Sequence, residues 1–115
     1  MSEHTYTLEA LKHHRDALVE MVALKDAAIR LSQNPDFNKV IMQQFAIYDA
    51  AHYVAASCDP ALNPEQRADA LVLAQAAGHL KRWLSIQVQR GSIAQQDVEE
   101  ANTAIAESEM SDEVE

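Results

Sequence analysis

One hundred and fifteen residues leave room for a single hydrophobic core. Eighteen acids stand against nine bases, a formal balance of −9 that disfavours direct nucleic-acid binding. No run of about 18 apolar residues could cross a membrane, and one cysteine, Cys58, excludes both an internal disulfide and a cysteine-based zinc site.

Alanine supplies 20 of the 55 hydrophobic residues, and Phe, Trp and Tyr together supply six. With two glycines and three prolines in the whole chain, the composition favours helix nearly throughout. Alanine buries little area, so helices packed through it share a thin core. Self-association or a protein partner is the expected remedy. The start, Met1 to Thr5, lacks a basic stretch followed by an apolar one and does not read as a secretory signal. The expected setting is a reducing cytoplasm, of a cell or of an infected host.

In chain order, Thr7 is placed to cap a first helix, with Tyr6 and Leu11 at staple positions. That helix is expected from about Leu8 to Leu31. It carries two apolar stripes, Leu8-Leu11-Leu18-Val22 and Met21-Leu24-Ala28-Leu31, and so contacts on two sides. Asn34 and Pro35 supply a cap and a first turn for a second helix. On that helix Phe37, Ile41, Tyr48, Ala51 and Ala55 share a face, with Val40, Ile47 and Val54 beside it; it ends before Cys58. Asn63, Pro64 and Gln66 repeat the start as a capping box. The third helix carries Leu73, Ala77, Leu80, Leu84 and Val88 and is expected to stop at Gly91. Ser92 and Gln95 read as a box for a short fourth helix, striped by Ala94, Val98, Ala101 and Ile105. The expected fold is all-α: an elongated antiparallel bundle of three long helices (short loops favour antiparallel neighbours), a short C-terminal helix and an acidic tail.

The charge is segregated. Residues 1–91 hold ten acids and nine bases, whereas residues 92–115 hold eight acids and no Lys or Arg. This divides the chain into a bundle, 1–91, and an acidic C-terminal helix and tail, 92–115. Lys81, Arg82 and Arg90 form the one basic cluster, around Trp83.

Glu9, His13, Asp16 and Glu20 share a helix face, but their spacing lacks the Glu-x-x-His arrangement of helical di-metal sites, and the face reads as a solvated one. His52 and His79 read as hydrogen-bonded histidines at helix–helix contacts. Cys58 has no basic neighbour to lower its pKa. No phosphate loop or nucleophile elbow is present, so no enzyme, cofactor or metal is expected. Gly78, among Ala74, Ala76 and Ala77, marks close approach of a neighbouring helix. The residues expected to contact a partner are Leu18, Met21, Leu24, Phe45 and Trp83, together with the acids Glu107, Glu109, Asp112 and Glu113.

The start Asn34-Pro35-Asp36-Phe37, the break at Asp59-Pro60, the segment Gly78-His79-Leu80-Lys81-Arg82-Trp83-Leu84 leading to Gly91, and the acidic end carry a resemblance. Over residues 24–115 the layout resembles small proteins of tailed bacteriophages encoded among head and DNA-packaging genes. The resemblance implies a virion or morphogenesis protein that lines, plugs or assists assembly of the head or head–tail connector, located in the virion or the host cytoplasm. The alternative, from the segregated charge, is an acidic-tailed inhibitor or adaptor that imitates nucleic acid and occupies a basic host protein.

Overall fold

The structure, a computed structural model, describes the backbone of residues 2–114 and the side chains of residues 8–111. Every element among the described residues is helical: α1 (Ser2–Ser32), α2 (Pro35–Phe37), a π-helix (Asn38–Asp49), α3 (Ala50–Ser57) and α4 (Pro64–Val114). The middle three follow one another without a break, so the chain makes three helical runs joined at residues 33–34 and 58–63.

Local chemistry sets two of the starts. The Asn34 side-chain oxygen accepts from the Phe37 N–H at 3.0 Å, and Pro35 occupies the first turn. At α4 the capping box closes in both directions: Gln66 N–H donates to Asn63 Oδ1 at 2.8 Å, and Asn63 N–H to Gln66 Oε1 at 3.1 Å. Asp59 Oδ1 holds the connecting turn by accepting from Ala61 N–H at 2.9 Å. The first helix differs from expectation, because its backbone is already helical at Ser2, before Thr7. The expected staple falls on Tyr6, whose side chain lies outside the described residues.

The run from Pro35 departs from α geometry for twelve residues. Its last turn shows the wider spacing, as the Ala50 N–H donates to the Phe45 carbonyl five residues back. Gln44 Nε2 also reaches Asp49 Oδ1, five residues ahead, at 2.8 Å. Residues turned from solvent come in pairs four apart, 37/38, 41/42, 45/46 and 49/50. At 3.6 residues per turn such pairs would drift around the helix; the widened turn keeps them in line. This corrects the expected face. Phe37 and Ile41 are half-buried, but Tyr48, Ala51 and Ala55 are exposed, as are Val40, Ile47 and Val54.

The separate fourth helix does not form, since α4 runs unbroken through Gly91 and Ser92. Ser92 Oγ donates to the Val88 carbonyl one turn back, a mid-helix bond and not a cap. The reason is a repeat. Ala70, Ala77, Leu84, Gly91, Val98 and Ile105 recur every seven residues, interleaved from Leu80 onward by Gln87, Ala94, Ala101 and Ser108. All of these are buried or half-buried. A strict seven-residue repeat is the seam of a supercoiled helix, and it crosses Gly91 without a change of register.

The chain forms two compact units. The first joins residues 1–27 to 87–115, and the second is 28–86. In the first, α1 and the end of α4 lie side by side in opposite senses, Lys12 meeting Glu109 at 3.3 Å and Lys25 meeting Gln95. Gly91 is buried there because α1 comes close: a Cβ at Gly91 would stand 2.2 Å from Lys25 Cβ. Gly78, by contrast, has nothing within 4 Å of a would-be Cβ. The close approach expected at Gly78 therefore belongs to Gly91, and Gly91 ends no helix.

Candidate interaction surface

The second unit has an interior of small residues. Its buried side chains are Ala46, Ala70 and Ala77, and no larger apolar residue in it is buried. Its surface holds the reverse: Ile29, Leu31, Val40, Ile47, Tyr48, Val54, Leu71, Val72, Leu73 and Trp83 are all substantially exposed. Scattered apolar residues are ordinary on a protein surface, but a unit whose large apolar side chains all remain partly in water is not. The unit is also uncharged overall, with five acids and five bases.

On α4 within this unit, a shallow groove is lined by Ala76, His79, Leu80, Arg82, Trp83 and Ile86. Trp83 is 50% exposed at its centre. An indole half in water beside an aliphatic wall and a guanidinium is the kind of anchor that dominates protein–protein contacts. The groove offers apolar surface, the Arg82 guanidinium and the His79 imidazole.

The first unit buries larger side chains, although Val19, Leu24, Ile93 and Met110 are exposed in it. Leu18 and Ile105 are buried beside Ala94 and Ala101, and thirteen acids face four bases. A hollow between α1 and α4 is lined by Leu11, His14, Asp97, Glu100, Ala101 and Ala104. Among the described residues no group of three His, Cys, Asp or Glu side chains is placed to hold a metal ion. Glu9, His13, Asp16 and Glu20 are all exposed.

The residues expected to touch a partner fall in both units. Leu18 is interior, at 7% exposure, Met21 is half-buried and Leu24 is exposed in the first unit, with Glu107 exposed and Glu109 paired to Lys12. Phe45, half-buried, and Trp83, exposed, lie in the second. The side chains of Asp112 and Glu113 lie outside the described residues. His52 and His79 are exposed and do not sit in helix–helix contacts. The His52 Nδ1 lies 2.8 Å from the Tyr48 carbonyl, one turn back on its own run. Cys58 is exposed and free.

Sequence reasoning singled out Trp83 and missed its setting. Val72 lies on the same face of α4 as Ala76, His79, Trp83 and Ile86, and at 61% it is more exposed than Trp83. Spacings of four, three, four and three residues were the available signal. No helix among the described residues is long and apolar enough to cross a membrane. No family model, curated protein or solved structure matches the chain.

Proposed function

We propose that this chain is a non-enzymatic binding protein that works by helix packing in the assembly of a tailed-phage particle, at the head or the head–tail connector. One observation carries the mode of action: the second unit fully buries only alanines and leaves ten large apolar side chains substantially exposed. The layout of residues 24–115 supports the phage setting, and with it a place in the virion or the host cytoplasm. The antiparallel bundle belongs to the same proposal, because connections at 33–34 and 58–63 are short enough to favour antiparallel neighbours.

The test is capture from infected cells with the tagged full-length chain, beside a Val72→Asp/Trp83→Asp variant. Head or connector proteins should be captured by the parent at high salt, because an apolar contact is not screened. The variant should lose them while keeping its helical circular dichroism. Equal capture by both chains would remove the apolar surface from the binding mode, and no capture of particle proteins would remove the setting.

The segregated charge favours one second reading, an inhibitor or adaptor that offers its acidic unit to a basic host protein. Thirteen acids against four bases, several of them on a helix end with Glu107 and Glu109 exposed, support it. Such a target is captured at low salt, released steeply as salt rises, and unaffected by the change at Val72 and Trp83.

A further inference from the structure

The exposed face of α4 around Trp83 has an internal order that identifies an occupant. Asp69, Val72, Ala76 and His79 are followed by Trp83, Ile86 and Arg90, at alternating steps of three and four residues. This is a second seven-residue repeat on α4, beside the buried seam, and six of its seven members are exposed, Ile86 being half-buried.

The stripe reads as its own complement when reversed. Outward from His79, Trp83 stands four residues one way and Ala76 three the other, a large side chain against a small one. Ile86 and Val72 each stand seven residues out, apolar against apolar. Arg90 stands eleven out and Asp69 ten, base against acid. We propose that α4 pairs through this stripe with α4 of a second copy of the chain, antiparallel, with the two-fold axis near His79. The inference rests on the helix-packing reading above and names a partner for that surface.

Charge and size select the antiparallel sense. A parallel pair would set Trp83 on Trp83, Asp69 on Asp69 and Arg90 on Arg90. It would also lay the two acidic segments after Gly91, each with eight acids and no base, side by side. The antiparallel pair seats each indole over the partner's Ala76, joins Asp69 to the partner's Arg90 twice, and sends the acidic segments away in opposite directions. From Asp69 to Arg90 the contact is about 33 Å long at 1.5 Å per residue. One helix face of that length makes a small interface, in the class of transient complexes.

Sedimentation equilibrium of the full chain, from roughly 1 µM to 1 mM, tests it. The parent should pass from 12.8 kDa towards twice that mass with a Kd on the order of micromolar. Trp83→Ala should raise that Kd about 30-fold, as loss of a central aromatic anchor does. Asp69→Arg alone and Arg90→Asp alone should each weaken the dimer about tenfold, and the double variant should recover to within about threefold of the parent. That rescue is particular to an antiparallel pair of copies, since parallel copies keep like charges opposed in every variant. Because these side chains are exposed, helicity should be unchanged in all of them.

A chain that stays monomeric throughout, or a dimer indifferent to Trp83 and to the charge changes, overturns the inference. A dimer that the double variant does not rescue overturns it as well. Capture of particle proteins by a monomeric chain would sink the self-pairing and leave the proposed function standing.

Discussion

The two units solve the same packing problem to different degrees. The first, residues 1–27 with 87–115, carries the whole net charge and places Leu18 and Ile105 in its interior. The second, residues 28–86, carries no net charge, buries only alanines and leaves its large apolar residues partly in water. Burying a large aliphatic side chain stabilises a fold by about 1.5–3 kcal/mol, and an alanine contributes far less. The difference is one of degree: the first unit buries two large aliphatic residues and exposes Val19, Leu24, Ile93 and Met110, whereas the second buries none and exposes ten.

Substitutions that exchange the two characters break that comparison most sharply. Ile105→Ala removes a buried branched side chain, at 5% exposure, and should cost about 2–4 kcal/mol, read as a lower urea midpoint at unchanged slope. Trp83→Ala removes a larger side chain from the second unit and should change the stability of the isolated chain by no more than about 0.5 kcal/mol. If the tryptophan proves the costlier residue in dilute, monomeric protein, the second unit has a core of its own and the contrast is wrong.

The two glycines give the next largest effect. Gly91→Ala would set a Cβ 2.2 Å from Lys25 Cβ, both on helix backbones that must move apart. Overpacking of this kind costs about 1–3 kcal/mol. Gly78→Ala meets nothing within 4 Å and has no left-handed backbone to lose, so it should stabilise α4 by about 0.5–1 kcal/mol. Thermal midpoints should therefore move in opposite directions. A shared direction would mean that α1 does not lie against α4 at Gly91.

What was legible in the sequence divides along the reach of the physics. Caps are local, and Asn34 and the Asn63–Gln66 box both form as their types and spacing require. The stripe Ala94, Val98, Ala101 and Ile105 does face inward. Glycine's usual meaning at a helix end points to a stop at Gly91, but its register does not. Leu84, Gly91, Val98 and Ile105 stand seven residues apart, which marks a seam position and not a stop. The π-helix was illegible to a 3.6-residue template, and a face drawn from Phe37 at that period reaches Tyr48 on the wrong side. The four-residue recurrence of Phe37, Ile41 and Phe45 was there to be read, but a twelve-residue widening is a tertiary choice that no local rule anticipates. For the interaction surface, Trp83 and its basic neighbours stood out by type, while Asp69 and Val72 acquire meaning only once α4 is known to be continuous.

The smallest effect tests the acidic unit. Lys12 and Glu109 meet at 3.3 Å with both side chains about half in water, so the pair is worth at most about 0.5 kcal/mol. Glu109→Gln removes that attraction, but it also removes one of thirteen acids from a unit with four bases. At physiological salt the Debye length is about 8 Å, which weakens the more distant repulsions before the contact itself. The substitution should therefore be close to neutral at low salt, where lost attraction and relieved repulsion offset each other, and slightly destabilising at high salt, where repulsion is screened. Urea midpoints of parent and variant across a salt series read the difference directly. A variant more stable than the parent at low salt and equal to it at high salt would mean that Glu109 meets only repulsion and that Lys12 contributes nothing.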